Sequence, residues 1–211
     1  MRFYNQAGEL NPNRRDRTYG EELATALSAF DCVLNGEKAL YASSELTTGK
    51  RLYDLMREAG VRDVAALKVV LGEDGFQRRL WDPNFAEALD LTRQVRERSG
   101  GELVLTPAPL VIRGWTQPEY LTLWETVIRT RIKKLFFGDG WEYSNGCAFE
   151  FSVAWDAGLP VCDAEGHALS IEEGAARITR AALELEAEGF DASGLRAALE
   201  RLAVRMPGKA S

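Results

Sequence analysis

The stretch KKLFFGDGWEYSNGCAFEFSVAWDAGLPVCD, residues 133–163, decides the fold of this chain. It reads as a short apolar strand, a glycine-rich turn, an apolar helix and a second short strand. The same order of strand, loop and helix occurs in KALYASSELTTGKRLYDLMREAG, residues 38–60. Apolar strands that alternate with helices predict an α/β fold: a parallel, Rossmann-like (flavodoxin-like) sheet with helices on both faces. Its ligand site is expected at the carboxyl ends of the strands.

Helical patterns surround these two units, and glycines mark where several of them end. The segment ELVLTPAP, residues 102–109, is predicted to be a further strand. Helices are predicted over residues 20–36, about 50–59, 82–99 and 117–131, with two more after residue 170 that are separated at Gly189.

Two parts of the chain are harder to assign. The apolar residues of VRDVAALKVVL, residues 61–71, fit a helix and a strand equally well. Residues 1–18 are polar, without sustained periodicity, and are interpreted as an N-terminal arm. The expected organisation is therefore this arm, an α/β domain over 19–170, and a C-terminal helical extension over 171–205.

Charge and hydropathy restrict the partners. The formal net charge is -6 and the isoelectric point is about 5.1, which argues against a surface that neutralises the phosphates of long DNA or RNA. No run approaches the roughly 20 apolar residues that span a bilayer, and the N-terminus lacks the apolar core of a signal peptide. We expect a cytoplasmic protein that binds neither long nucleic acid nor a membrane.

The sequence contains a single histidine, His167, and three cysteines without CxxC spacing. Catalytic triads that rely on histidine, HExxH sites and centres with several histidines are hard to build from this set. We therefore expect no metal ion and no cofactor. Carboxylates are then the groups left for acid, base or nucleophilic chemistry.

Two loops should meet at one edge of the sheet, because each follows a strand and precedes a helix. Free N–H groups at the two helix entrances suit a phosphate or sugar hydroxyls, although the same residue types also simply cap helices and form turns. Glu150, at the start of the second helix, could face this edge or only complement the helix dipole. Trp141 could stack on a base or cover the core. The polar and glycine candidates in the two loops are Ser43, Ser44, Thr47, Thr48, Gly49, Ser144, Asn145 and Gly146.

The segment GWEYSNGCAFEFSVAWDAGLPV, residues 140–161, resembles the signature of the nucleoside 2-deoxyribosyltransferase superfamily. In that signature a Gly-x-x-x-Glu turn enters a helix, and a Gly-x-Pro-Val strand closes the unit. Gly146 and Glu150 have the required spacing, and Gly158, Pro160 and Val161 complete the pattern without a gap. The start of the segment is similar to that of a bacterial branch of the superfamily.

The first loop supports the same resemblance. ALYASSELTTGK, residues 39–50, is similar to the first strand and loop of the 2′-deoxynucleoside 5′-monophosphate N-glycosidases, with Tyr41 and Gly49 in matching positions. The resemblance implies that Glu150 attacks the anomeric carbon and that Tyr41 orients it. It also implies that a nucleotide's 5′ end is held by Ser144, Ser43 or Ser44, and the backbone of Gly146.

The chain departs from the superfamily pattern at several positions. Ser43, Ser44 and Glu45 replace a common Ala-Gly-Pro, and Glu45 could repel a phosphate. Glu125 is the nearest carboxylate to the usual base-contacting or sugar-contacting aspartate, offset by about one position. Ser152 stands where glycine is usual, and the region between residues 60 and 82 is inserted.

Cleavage of the N-glycosidic bond of a nucleoside or nucleoside 5′-monophosphate is the leading functional expectation, by a hydrolase or a deoxyribosyltransferase. A nucleotide-binding module without turnover is one alternative, because a fold does not fix a function. Cleavage of NAD is another, since NAD also contains an N-glycosidic bond. The resemblance further implies a homodimer or higher homo-oligomer, in which the apolar faces of the terminal helices could pack between subunits or cover the chain's own sheet.

Overall fold

The structure is a computed structural model, and it describes residues 12–204, with side chains from residue 18 onward. Four parallel strands form one sheet: β1 (Ala39–Ser43), β2 (Val104–Leu105), β3 (Ile132–Phe137) and β4 (Val161–Cys162). Their order is β2-β1-β3-β4. This arrangement confirms the predicted α/β class with a parallel, Rossmann-like sheet and helices on both faces.

Helices account for most of the remaining described chain. Two of them have the bounds that the sequence predicts, at residues 50–59 and 117–131, and the helix expected from residue 82 is also present. No helix among the described residues has the length and hydropathy to cross a membrane. The helices are α1 (Pro12–Leu34), α2 (Lys50–Ala59), α3 (Val64–Phe76), α4 (Asp82–Arg98), α5 (Gln117–Arg131), α6 (Asn145–Asp156), α7 (Ile171–Ala187) and α8 (Ser193–Ala203).

The ambiguous segment 61–71 is helical from Val64 onward. The carboxylate of Asp63 accepts a hydrogen bond from the Ala66 backbone N–H at 2.8 Å, which caps the start of α3. A π-helical turn over Gln77–Trp81 connects α3 to α4. Pro83, the second residue of α4, has no N–H to donate to the preceding turn, which explains why the ordinary helical ladder is interrupted there.

The N-terminal boundary differs from the prediction. Helix α1 begins at Pro12, so residues 12–18, which were assigned to the polar arm, are helical. The rest of the predicted arm, residues 1–11, lies outside the described residues, as do residues 205–211. The predicted strand 102–109 is reduced to Val104–Leu105, because the prolines that follow cannot donate to a sheet ladder.

The C-terminal helices are part of the main core. Ile178 and Leu185 of α7 and Leu195 of α8 are fully buried in the same cluster as Leu135 of β3 and Phe151 of α6. The apolar faces of α7 and α8 therefore cover their own chain, which was one of the two uses expected for them. Residues 171–203 complete the α/β layer that holds α6.

Gly174 of α7 provides a stability test of this packing. A Cβ at position 174 would lie 2.0 Å from the Phe151 ring, so Gly174→Ala forces the ring or the helix to move. We expect the substitution to lower the free energy of unfolding by about 1–3 kcal/mol in urea titrations. Gly20→Ala, in α1 with nothing within 4 Å, is the control and should instead stabilise the protein by about 0.5–1 kcal/mol. Equal effects of the two substitutions would contradict the close contact of α7 with α6.

Candidate active site

The carboxyl ends of β1 and β3 lie side by side at the centre of the sheet. Ser43, the last residue of β1, is paired with Phe137, the last residue of β3. The Gly138 N–H donates to the Ser43 carbonyl at 2.9 Å and joins the two strand ends. From β1 the chain crosses to β2 on one side of β1, and from β2 it crosses back to β3 on the other side. The strand order therefore reverses between β1 and β3, which makes this the topological switch point, where open α/β sheets bind ligands.

Helix α6 presents Glu150 to these strand ends. The Tyr41 hydroxyl donates to one carboxylate oxygen of Glu150 at 2.8 Å, and the Ser43 hydroxyl donates to the other at 2.6 Å. Tyr41 and Ser43 are fully buried, and Glu150 is 6% exposed. Two residues on the same side of β1 therefore fix both oxygens of a single buried carboxylate.

Burial dominates the acid–base properties of this group. Loss of water raises the pKa of Glu150 to about 7, while the hydrogen bonds from Ser43 and Tyr41 act in the opposite direction. Burial, followed by the charge and hydrogen bond of Glu150, raises the pKa of Tyr41 well above its usual range. Tyr41 therefore stays protonated and acts as a donor, while Glu150 changes its charge close to neutral pH.

A second carboxylate lies at the entrance of α2. Glu45 is 8% exposed, and its Oε2 atom has no hydrogen-bond partner. Burial raises its pKa to about 7, and the charge of Glu87 acts in the same direction. The backbone N–H groups of Lys50 and Arg51 and the charge of Arg51 lower it. From the sequence, Glu45 is a departure from the family pattern that could repel a phosphate, and its burial is not predicted. A glutamate four residues before the glycine at a helix start was the available signal.

The entrances of α2 and α6 are in contact. The hydroxyls of Thr48 and Ser144 are 3.4 Å apart, and the Asn145 N–H donates to the Thr48 hydroxyl at 3.1 Å. Ser144 also caps α6 by accepting a hydrogen bond from the Cys147 N–H at 3.4 Å. The structure thus brings together Ser144 and Asn145 of the second loop with Thr48 of the first, while Ser144 serves the helix as its cap.

The remaining loop candidates lie at the same edge. Ser44 is half-buried and directly follows β1, and its hydroxyl lies 3.4 Å from where a Cβ of Gly138 would be. Gly49 is the N-cap of α2 with φ 143°, a conformation that favours glycine. Gly146 is half-buried in the first turn of α6. These three positions surround the helix entrances, and none of them touches Glu150 in a described hydrogen bond.

Trp141 does not offer a surface for stacking a base. Its side chain is 1% exposed and lies between Phe137 and Phe151, with ring centroids 4.8 Å away in each case. The predicted base-stacking role is therefore wrong, and the alternative, a cover for the core, describes the observed position. The short 3₁₀ turn Trp141–Tyr143 directs the indole inward.

Glu125 is not brought to Glu150. It lies on α5, where its carboxylate pairs with Arg129 at 2.9 Å and with Arg201 of α8 at 3.0 Å. Arg129 also pairs with Asp156, the last residue of α6, whereas Glu150 lies earlier in α6 and is hydrogen-bonded to β1. The predicted contact of Glu125 with a base or sugar is therefore corrected to a structural ion pair. The Glu-x-x-x-Arg spacing within one helix was the sequence signal for it.

Asn84 was not among the predicted site residues, although it anchors the first loop. It is 1% exposed; its side-chain N–H₂ donates to the Leu46 carbonyl at 3.0 Å, and its oxygen accepts from Arg51 Nε at 2.7 Å. Arg51 also pairs with Glu87. Helix α4, which begins where the inserted region ends, therefore holds both the loop that contains Glu45 and the arginine beside it.

Other polar features lie away from Glu150. Ligand atoms of Asp163, Glu165 and His167 lie within 4.8 Å of one another in the loop after β4, where Glu165 and His167 are exposed to solvent. A cavity of about 360 Å³ lies near the amino ends of the strands, lined in part by Lys38, Leu103 and Lys133. A second, of about 220 Å³, is lined by Ser152, Asp156, Arg201 and Val204.

The arrangement around Glu150 can perform carboxylate chemistry. A buried carboxylate with a pKa near 7 can act as a nucleophile or a base when ionised, and its two hydroxyl donors hold it in one orientation. Comparison with protein-family models, with curated proteins and with solved structures gives no match to this chain.

Proposed function

We propose that this chain cleaves the N-glycosidic bond of a nucleoside or a nucleoside 5′-monophosphate, with Glu150 as the nucleophile. The observation that carries the proposal is the geometry of one carboxylate, held by Tyr41 and Ser43 at the topological switch point of a parallel sheet. The spacing of Gly146 and Glu150, which resembles the nucleoside 2-deoxyribosyltransferase signature, supports the same residue.

The reaction follows from the chemistry of a carboxylate. An ionised oxygen of Glu150 attacks the anomeric carbon, the bond to the base nitrogen breaks, and the base leaves with the bonding electrons and takes up a proton. The resulting glycosyl ester is then opened at the same carbon, by water in a hydrolase or by a second base in a transferase. Either step returns Glu150 to its carboxylate form.

Incubation with nucleosides, their 5′-monophosphates and NAD, followed by chromatography for free base, tests the proposal. Release of base that needs no acceptor indicates a hydrolase, and release that needs a second base indicates a transferase. Release of nicotinamide from NAD alone would identify the NAD-cleaving alternative. Tight binding without release of any base would favour a binding module and contradict the proposed activity.

Tyr41→Phe tests the orienting hydrogen bond. Loss of the donor to Glu150 Oε1 removes one of the interactions that lower the pKa of Glu150, so that pKa should rise further. We expect the acid limb of the kcat/KM profile to move to higher pH, and kcat/KM at neutral pH to fall about 10–100-fold. The measurement is the pH dependence of base release.

The control for this substitution is Tyr53→Phe. Tyr53 is also a buried tyrosine, but its hydroxyl donates to the Asp191 carbonyl at 3.4 Å, on the side of α2 that packs against Phe190. Its removal should leave the acid limb in place. A pH profile that is identical for Tyr41→Phe and the unmodified protein would exclude Tyr41 as the residue that orients Glu150.

The proposed setting is a cytoplasmic enzyme that acts on a small molecule and assembles as a homodimer or higher homo-oligomer. The terminal helices give little support to this assembly, because the apolar faces of α7 and α8 are buried against their own chain. Trp155 and Leu183 remain among the exposed large apolar residues. Sedimentation velocity across a concentration series measures the assembly state directly.

A further inference from the structure

The entrance of α2 is already filled by a group of the protein itself. The side chain of Glu45 folds back onto the first turn of the helix, where its Oε2 atom lies only 1.5 Å from where a Cβ of Gly49 would be. Glycine at this position, with φ 143°, is what makes room for the carboxylate. A helix entrance is a natural site for an anion, and here that anion is internal.

One positive charge close to this entrance, that of Arg51, is hydrogen-bonded to other groups. Arg51, in the first turn of α2, donates to Asn84 at 2.7 Å and pairs with Glu87 on α4. Glu45 is buried, and burial is the main cause of its raised pKa. A further anion that entered this space would therefore meet a carboxylate that has lost its water. The charge of Arg51 acts on Glu45, but the Arg51 guanidinium is hydrogen-bonded to Asn84 and Glu87.

The carboxylates of Glu45 and Glu150 both lie close to the entrance of α6. Burial is the main cause of the raised pKa of the Cys147 thiol, in the first turn of α6, and the negative charges of Glu150 and Glu45 act in the same direction. The contact between Thr48 and Ser144 joins the two helix entrances beside it. A phosphate on any substrate whose sugar reaches Glu150 would approach these entrances and both carboxylates.

We propose that Glu45 is a specificity-determining residue, which occupies the anion position at the start of α2 and restricts the substrate to molecules without a charged 5′ end. This inference rests on the proposed function and narrows it to nucleosides in preference to nucleoside 5′-monophosphates. Glu45 excludes the phosphate both by filling the space beside Gly49 and by its negative charge at alkaline pH.

Binding of inorganic phosphate tests this idea without any need for turnover. At pH 8, with ionic strength held constant by chloride, thermal unfolding is followed as phosphate is added to the unmodified protein, Glu45→Ala and Glu45→Gln. We expect no phosphate-specific stabilisation of the unmodified protein and at least about tenfold tighter phosphate binding by Glu45→Ala. Glu45→Gln keeps the volume without the charge and should bind phosphate with intermediate affinity.

The matched control is Glu58→Gln, which makes the same change in charge at the other end of α2, where Glu58 is exposed and pairs with Arg79 at 2.6 Å. It should behave like the unmodified protein. Phosphate stabilisation of the unmodified protein equal to that of the Glu45 variants would overturn the proposal. So would two folded Glu45 variants that fail to bind phosphate.

Turnover gives the second measurement. The ratio of kcat/KM for a nucleoside to that for its 5′-monophosphate should fall at least about tenfold in Glu45→Gln relative to Glu58→Gln. An unchanged ratio contradicts the assignment of Glu45. If no protein variant releases base from any substrate, the proposed function fails, and the phosphate titration still decides whether Glu45 occupies an anion site.

Discussion

Glu150→Gln should reduce the rate of base release by at least about 1,000-fold, the largest effect expected for any single substitution in this chain. Glutamine has nearly the same shape as glutamate. Its oxygen can accept a hydrogen bond from one of the Tyr41 and Ser43 hydroxyls, and its N–H₂ group can donate to the other, so the local structure should persist. Its amide, however, cannot attack the anomeric carbon. The measurement is single-turnover release of base at pH 8, where the native carboxylate is ionised.

Glu173→Gln is the charge-matched control for this substitution. Glu173 lies on the exposed side of α7 and pairs with Arg177 at 2.6 Å, away from β1. Its release rate should stay within about twofold of that of the unmodified protein. A folded Glu150→Gln protein that retains more than a tenth of the native rate would rule out Glu150 as the nucleophile.

The unmodified protein should lose stability as the pH rises from about 5 to 8. The pKa values of Glu150 and Glu45 are both raised to about 7 in the folded chain, against an ordinary value of 4.5. The folded state therefore keeps two protons that the unfolded state releases near pH 4.5. The stabilisation is complete below that pH and is lost as the pH passes 7, at a cost of about 3 kcal/mol for each carboxylate.

Urea titrations at pH 5 and pH 8 measure this loss. Glu150→Gln removes one of the two titrating groups, so its free energy of unfolding should match that of the unmodified protein at pH 5 and exceed it by about 2–3 kcal/mol at pH 8. Stability that is independent of pH over this range would show that these carboxylates are not desolvated in the folded chain. If Glu150→Gln is more stable than the unmodified protein at pH 8 but does not release base, the buried charge of Glu150 lowers stability and is required for reactivity.

Local signals were sufficient for much of the fold. Gly60 ends α2 in the left-handed conformation with φ 66°, and Thr116 with Glu119 forms a capping box at the start of α5, so both helices could be located from sequence. The strands were harder. Only two residues each of β2 and β4 pair with the sheet, and that limit is set by neighbouring strands rather than by local pattern.

The candidate site was predicted unevenly for the same reason. Tyr41 and Glu150 lie 109 positions apart, and the resemblance of two short segments to known families was needed to join them. The indole of Trp141 is enclosed by β3 and α6, which no pattern within its own loop reveals. Glu45 was visible as an unusual residue, but its burial against Gly49 depends on how α2 meets the sheet.

The packing of α8 on α6 affects when the surroundings of α6 are assembled during synthesis. Gly194, near the start of α8, lies so close to Asn145 that a Cβ there would be 2.4 Å from the amide carbon. Because α8 is the last described helix to leave the ribosome, α6 lacks one of its packing partners in the nascent chain. Glu150 therefore gains its final surroundings only after α8 has been synthesised and has packed on α6.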